Sequence, residues 1–202
     1  MGRSGDVQRV TRYCGEEIWE APISCASVTD QGELARLSAR VLLLDGDFRV
    51  LLLRFAFHQR DVPEFGAYGW CAPGGGVEAG ESLAEAAARE VGEEVGLAVA
   101  PDDLGAPVAY TGGYADLGWA RGVFRDDFFA LRVDAFEPDM SGMLEVESAF
   151  HVGHRWWTSA ELASPAETVF PYGLAGLIDE LAAGRRPASA VELPWHHASD
   201  AR

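Results

Sequence analysis

Apolar and polar positions recur along this chain in two periods, and each change of period marks an element. Between Arg36 and Phe55 the apolar runs Val41–Leu44 and Val50–Leu53 flank Asp45-Gly46-Asp47, which predicts two central strands joined as a hairpin. Residues 56–68, with Pro63 and Gly66 among charges, read as a loop into a short strand around Trp70–Ala72. Pro73-Gly74-Gly75-Gly76 is expected to break any regular element. Ser82-Leu83-Ala84-Glu85 then supplies a capping box before an alanine-rich segment, and Gly96 a stop, so the pattern predicts a helix over 83–95. Further strands are expected at 106–111, 122–133 and 151–157, with a long loop between Tyr110 and Trp119 where glycines and aromatics repeat. Thr158-x-x-Glu161 caps a short helical turn. Pro171 opens a last amphipathic helix with Leu174, Leu177, Ile178 and Leu181 on one face, closed by Gly184. Residues 1–33 are weakly patterned, with Ile18, Trp19, Ile23 and Val28 as strand positions.

Composition narrows the classes. Of 202 residues 48% are hydrophobic, enough for one well-cored domain with decorated ends: an extension at 1–35, a domain at 36–184 and a tail at 185–202. The net charge of −16, with no basic run to offset it, repels nucleic-acid phosphates and argues against duplex DNA or RNA as a partner. An acidic enzyme acting on a small polyanion needs divalent cations to neutralise its site. All 16 basic residues are arginine, which excludes a P-loop, Schiff-base or kinase-type lysine. The three cysteines, Cys14, Cys25 and Cys71, form no CxxC pair and support neither a disulfide framework nor a zinc knuckle. With no apolar run near the ~20 residues that span a bilayer and no signal peptide, the expectation is a soluble, cytoplasmic protein with no membrane partner.

The chemistry concentrates on the predicted helix. At about 100° per residue Glu93 and Glu94 fall within roughly 60° on either side of Glu90, while Ala84, Ala88, Val91 and Val95 cluster some 120° away. The apolar stripe is expected to dock on the sheet and the carboxylate face to look elsewhere. Like charges at i, i+3 and i+4 destabilise a helix by a few tenths of a kcal/mol per pair and call for a compensating cation. Oxygen ligands at this charge density suit Mg²⁺ or Mn²⁺ rather than zinc. Arg89 lies four residues from both Glu85 and Glu93, where it can orient a carboxylate. Glu81 precedes the helix, and the glycines let backbone carbonyls approach a metal or phosphate.

The whole span, Gly75-x5-Glu81-x7-Arg89-Glu90-Val91-x-Glu93-Glu94-x-Gly96-Leu97, agrees at nine defined positions in 23 residues with the Nudix box. The chain therefore resembles the Nudix hydrolase superfamily, and the likeness extends over roughly residues 36–183 through the strands at 39–55, Trp70-Cys71-Ala72-Pro73-Gly74 and Arg155-Trp156-Trp157. It implies an α/β fold, an α/β/α sandwich with a mixed β-sheet. It also implies metal-dependent attack of water on a diphosphate linkage in a nucleoside triphosphate, a nucleotide sugar or an ADP-ribose type of substrate. In that reading Glu90, Glu93 and Glu94 hold Mg²⁺ (or Mn²⁺) with the Gly75 carbonyl and Glu81, and Arg89 orients them. The general base is a box glutamate or an acidic residue on a later loop, with Glu147 in the loop-like stretch Gly142–Ser148 as the outside candidate and Glu145 its neighbour.

Arg54, Arg121, Arg125 and Arg155 are candidate phosphate clamps, and Tyr114 and Trp119, flanked by glycines, candidate stacking residues for a base. Each competes with an ordinary reading as surface arginine or core aromatic. The pair His196-His197 reads as incidental. Gly74-x-Gly76-x-x-Ala79 superficially fits a dinucleotide fingerprint, but the helix cap comes later, at Ser82, and carboxylates follow it. Two other readings within the resemblance are a non-catalytic nucleotide-sugar sensor and an isoprenyl diphosphate isomerase using Cys71. The sequence leaves oligomeric state open, a homodimer included.

Overall fold

The computed structural model describes residues 10–14, 17–21, 34–57, 66–116, 121–134 and 136–195, with backbone alone in the first two segments and at 116, 146 and 147. Two apolar runs form its centre, strands β3 (Leu34–Leu44) and β4 (Val50–Ala56). One buried side chain holds the turn between them. Asp45, 1% exposed, accepts from the N–H groups of Asp47 and Arg49 and from Arg49 Nε at 3.0, 2.9 and 2.7 Å. Phe48 completes the turn with a positive φ of 59°.

The expected hairpin proves to be one residue pair deep. Leu44 faces Val50, and beyond that pair the strands part. Strand β3 pairs in parallel with β8 (Arg121–Arg132) and antiparallel with β6 (Gly74–Gly76), whereas β4 pairs antiparallel with β5 (Tyr68–Cys71) and β9 (His151–Trp157). Runs buried on both faces belong to interior strands, so each recruits its own neighbours. The full order is β10 (Thr168–Val169), β5, β4, β3, β8, β7 (Ala109–Asp116), β11 (Val191–Glu192), with β6 beside β3 and β9 beside β4. Parallel and antiparallel pairs mix, as expected.

Helices cover both faces. On one, α1 (Leu83–Val95) packs Ala86, Ala87, Val91 and Val95 against Val41, Leu43, Leu51, Leu53 and Phe129. Across the sheet, α5 (Leu174–Ala182) packs Leu174, Leu177, Ile178 and Leu181 against Leu42, Leu44, Val50, Leu52 and Phe128. Short helices α2 (Pro101–Leu104), α3 (Glu145–Ser148) and α4 (Ser159–Leu162) connect strands. The result is the expected α/β/α sandwich. The boundaries of α1 agree with its capping signals: Ser82 and Glu85 form the box and Gly96 closes the helix at φ 70°. Near the N-terminus β1 (Val10–Cys14) and β2 (Glu17–Ala21) form a separate two-stranded sheet. Ile18 and Trp19 fall in β2, while Ile23 and Val28 lie outside the described residues.

Four local expectations need correction, the first two because a distant contact overrides a local signal. The glycine run does not break structure but forms β6, where a Cβ on Gly74 would stand 2.3 Å from the Ala39 carbonyl oxygen. Only glycine lets the backbone come that close to β3. The stretch from Tyr110 is not a loop but β7 as far as Asp116; Gly113 is small because the Trp195 ring crosses it, 2.4 Å from where a Cβ would sit. Residues 142–148 are not loop-like: a 3₁₀ turn at Met140–Gly142 leads into α3. Helix α5 starts at Leu174 rather than Pro171, after Gly173 in a left-handed conformation. Residues 185–195, expected as tail, also pack on the domain. Arg186 donates to the carbonyls of Ala130 and Ala106 at 3.2 and 3.0 Å, β11 joins the sheet edge, and Leu193 enters the core.

Two stability measurements follow. Replacing Asp45 with Ala should cost about 1–3 kcal/mol at neutral pH, since the N–H groups of Asp47 and Arg49 and the Arg49 guanidinium lose their acceptor. Burial works against the Asp45 charge, but its bonds to Arg49 and Asp47 outweigh it and hold the carboxyl below its ordinary 3.8. A depressed carboxyl stabilises the fold above its unfolded value and loses that effect as pH falls through the folded one. Denaturant titrations should therefore show the gap between wild type and Asp45→Ala narrowing below about pH 4. Gly92 in α1 is exposed, with nothing within 4 Å of an added Cβ. Gly92→Ala should raise stability by about 0.5–1 kcal/mol, measurable as a higher Tm.

Candidate functional site

The divergence of β3 and β4 opens a cleft of about 380 Å³, and the glycine strand with the C-terminal half of α1 forms one wall. Gly74, Gly75 and Glu94 line it together with Arg36 and Arg40 of β3 and Asp126 of β8, while Phe57, Phe150 and Phe170 make an aromatic side. The glycines explain how a helix carboxylate reaches this wall. A Cβ on Gly75 would lie 2.6 and 2.8 Å from the two Glu90 oxygens, so that carboxylate fills the space where a side chain would be. Glu94 Oε2 accepts the Gly74 N–H at 2.7 Å.

This corrects the expected orientation of α1. Glu90 and Glu94 do not look away from the core: they are 6% and 4% exposed, tucked under β6 beside the apolar stripe. The helical wheel treats the sheet as a flat partner, whereas three residues without side chains leave a trough that admits polar groups. Glu93 alone of the three stays partly open, its side chain 36% exposed.

Arg89 ties the cluster together. Its guanidinium donates to both Glu81 oxygens at 2.8 and 3.0 Å, to Glu90 at 2.9 Å, to Glu93 at 3.2 Å and to the Gly76 carbonyl at 3.0 Å. The hydrogen bonds from Arg89 hold the Glu81 carboxyl below its usual range, and those to Glu81 and Glu90 raise the arginine further against the cost of burial. Glu85, the other expected neighbour of Arg89, caps Ser82 instead. From the sheet side Arg40 donates to the carbonyls of Ala72 and Gly74 and lies 3.6 Å from Asp126. Burial opposes its charge, but Asp126, Cys71, Glu94 and Glu90 around it raise its pKa. Cys71, on the cleft wall, is a free thiol that burial pushes up to about 11, which favours its protonated form.

As they stand, no three Asp, Glu, His or Cys side chains among the described residues converge as ligands for one ion. The guanidinium of Arg89 sits between Glu81, Glu90 and Glu93 and takes the place of a countercharge. The donor set nonetheless fits a hard divalent ion: oxygen only, multiply anionic, partly buried, and bordered by glycine carbonyls.

The remaining candidates are scattered. Arg54 is engaged by both oxygens of Glu167 and lies over the Tyr68 ring at 3.9 Å. Arg155 pairs with Glu161 and lies over Trp157. Arg125 chelates Asp127 at 2.7 and 2.8 Å. Tyr114 and Arg121 sit toward the end of the β7–β8 pair and do not line the cleft. Trp119 and His196-His197 lie outside the described residues. Glu145 is exposed on α3, and for Glu147 only the helical backbone is described. The cations that do line the cleft, Arg36 and Arg40, were not singled out from sequence. Their only signal was alternation on β3, which puts both on the face away from α1.

Comparison with known proteins agrees with this geometry. A family model described as NUDIX domain matches residues 34–174. A Rhodococcus erythropolis protein described as an uncharacterized Nudix hydrolase is 33% identical over 166 residues, 81% of this chain and 83% of that one. The structure of a MutT protein from Methanosarcina mazei Go1 superposes with a TM-score of 0.55 at 19% identity, covering 79% of this chain and 100% of that chain. The E. coli ORF135 protein gives 0.52 at 18%, covering 81% and 100%. These two likenesses show the fold alone. Because the family match runs from the first residue of β3 to the first of α5, taking in the sheet, the glycine strand and the carboxylate helix together, the chain belongs to the Nudix hydrolase family.

Proposed function

We propose that this protein is a Mg²⁺-dependent hydrolase that cleaves a diphosphate linkage in a nucleoside diphosphate derivative. Nudix hydrolases are generally pyrophosphohydrolases of such compounds and generally use divalent ions. The observation that carries the reading here is the cluster of Glu81, Glu90 and Glu93 around Arg89, next to Glu94, which lines a cleft that also presents Arg36 and Arg40.

In this reading Glu90, Glu93 and Glu94 hold the metal, with the Gly75 carbonyl and Glu81 as further ligands. The ion supplies charge neutralisation at the phosphates and a water that is easier to deprotonate. Arg89 keeps Glu90 and Glu93 apart and aimed while orienting Glu81, the office of a group that steers ligands rather than binding substrate. Arg36 faces the cleft beside Gly76, where a guanidinium suits a phosphate. The aromatic wall of Phe57, Phe150 and Phe170 offers an apolar surface to a flat base. Arg54 and Arg155, held by Glu167 and Glu161, serve phosphate only if those pairs open. Glu147 remains the proposed general base.

Burial decides which variants test this cleanly. Glu94→Gln and Glu90→Gln alter buried groups and disturb packing as well as charge, whereas Glu93 is open. Glu93→Gln should lower kcat at least tenfold with Tm unchanged, and EDTA should abolish wild-type turnover on a panel of nucleoside triphosphates, nucleotide sugars and ADP-ribose. Turnover that survives EDTA would overturn the assignment.

For the general base, Glu147→Gln should lower kcat far more than it raises KM, removing the acid limb of the pH–rate profile with Mg²⁺ affinity unchanged. A wild-type Glu147→Gln beside a crippled Glu145→Gln would move the base two residues back, to Glu145. Weakened Mg²⁺ binding in Glu147→Gln would make that residue a ligand.

A further inference from the structure

One partly buried arginine of β3 holds the turn that enters the glycine strand. Arg40 Nη1 donates to the Ala72 carbonyl at 3.1 Å and to the Gly74 carbonyl at 2.8 Å. The carbonyl between them, on Pro73, accepts from the neighbouring Val41 N–H at 2.9 Å. Residues 40 and 41 thus take three successive carbonyls of Ala72-Pro73-Gly74, and Arg40 and Gly74 are also register partners across β3 and β6. With its carbonyl drawn toward Arg40, Gly74 presents its N–H to Glu94 Oε2 at 2.7 Å. The same turn sets the height of Gly75 over the Glu90 carboxylate, where no Cβ would fit.

We infer that Arg40 is a positioning residue for the carboxylate site, fixing the Ala72-Pro73-Gly74 turn so that β6 holds Glu94 and Glu90 in place. The inference rests on the reading of those glutamates as metal ligands. An arginine suits the place because its Nη1 meets both carbonyls while its Nε lies 3.6 Å from Asp126; an ammonium has no second nitrogen to turn toward Asp126. Arg186 offers a matched comparison within the same molecule. It also clamps carbonyls, those of Leu104, Ala106 and Ala130, but at the β11 end and away from the cleft.

The test is Mn²⁺ binding to the full chain without substrate, followed by the electron paramagnetic resonance signal of the free ion, alongside Tm. Arg40→Met should weaken Mn²⁺ binding by about tenfold or more, the usual effect of losing a group that orients metal ligands. Arg186→Met should lower Tm but bind Mn²⁺ as wild type does. Should Arg40→Met fail to fold, Arg40→Lys carries the test, with a several-fold weakening expected because the charge stays while the planar group set between the two carbonyls and Asp126 is lost. If the folded Arg40 variants bind Mn²⁺ like wild type while Glu93→Gln does not, Arg40 is structural only and the functional reading stands. If wild type itself binds no Mn²⁺, both fall.

Discussion

Two carboxylates buried beneath a strand of glycines set the terms for the rest of this structure. Taking a carboxylate out of water costs several kcal/mol unless partners meet it, so Glu90 and Glu94 constrain everything near them. They require a backbone without side chains overhead, which Gly74 and Gly75 provide, and N–H or guanidinium donors, which come from Gly74 for Glu94 and Arg89 for Glu90. Helix α1 is held to the sheet by Ala86, Ala87, Val91 and Val95, and the same docking drives its glutamates into the glycine trough. Packing and chemistry are here two sides of one contact.

The cleft follows from a second constraint, the short reach of the β3–β4 pairing. Because the two strands share only Leu44 and Val50 before diverging, the sheet opens, and side chains from both halves face one space. Arg36, Arg40 and Asp126 come from the β3–β8 half and Phe57, Trp70 and Cys71 from the β4–β5 half. Fields of opposite sign meet there: a carboxylate cluster along the glycine wall and arginines beside it. An acidic protein of net charge −16 thereby keeps local positive charge where an anionic substrate would enter.

Arginine carries these roles without help from lysine. Arg89 reaches three carboxylates and a carbonyl through one planar group, Arg186 gathers three carbonyls through both Nη atoms, and Arg40 takes two through Nη1. For Arg89 and Arg186 such multiple capture depends on the fork, which a lysine lacks. Arg54, Arg125 and Arg155 are by contrast locked onto Glu167, Asp127 and Glu161, each over an aromatic ring. Ion pairing of this kind explains why counting arginines in the sequence could not separate phosphate clamps from structural ones.

By itself the sequence determined what depends on neighbours a few residues apart. The limits of α1 follow from the Ser82–Glu85 box and Gly96, the strands from their apolar runs, and the family from nine positions whose spacing is local. Tertiary structure decided everything that depends on distant partners. Three glycines that locally read as a break became β6 because β3 pairs with them, and Tyr110–Asp116 became a strand because β8 and Trp195 cover it. Helical periodicity turned Glu90 and Glu94 away from the sheet, because it measures angle around an axis and knows nothing of the trough beneath. Arg36 and Arg40 acquired their place in the cleft only when β3 and β4 diverged, since no spacing along a strand records which neighbours the strand will keep.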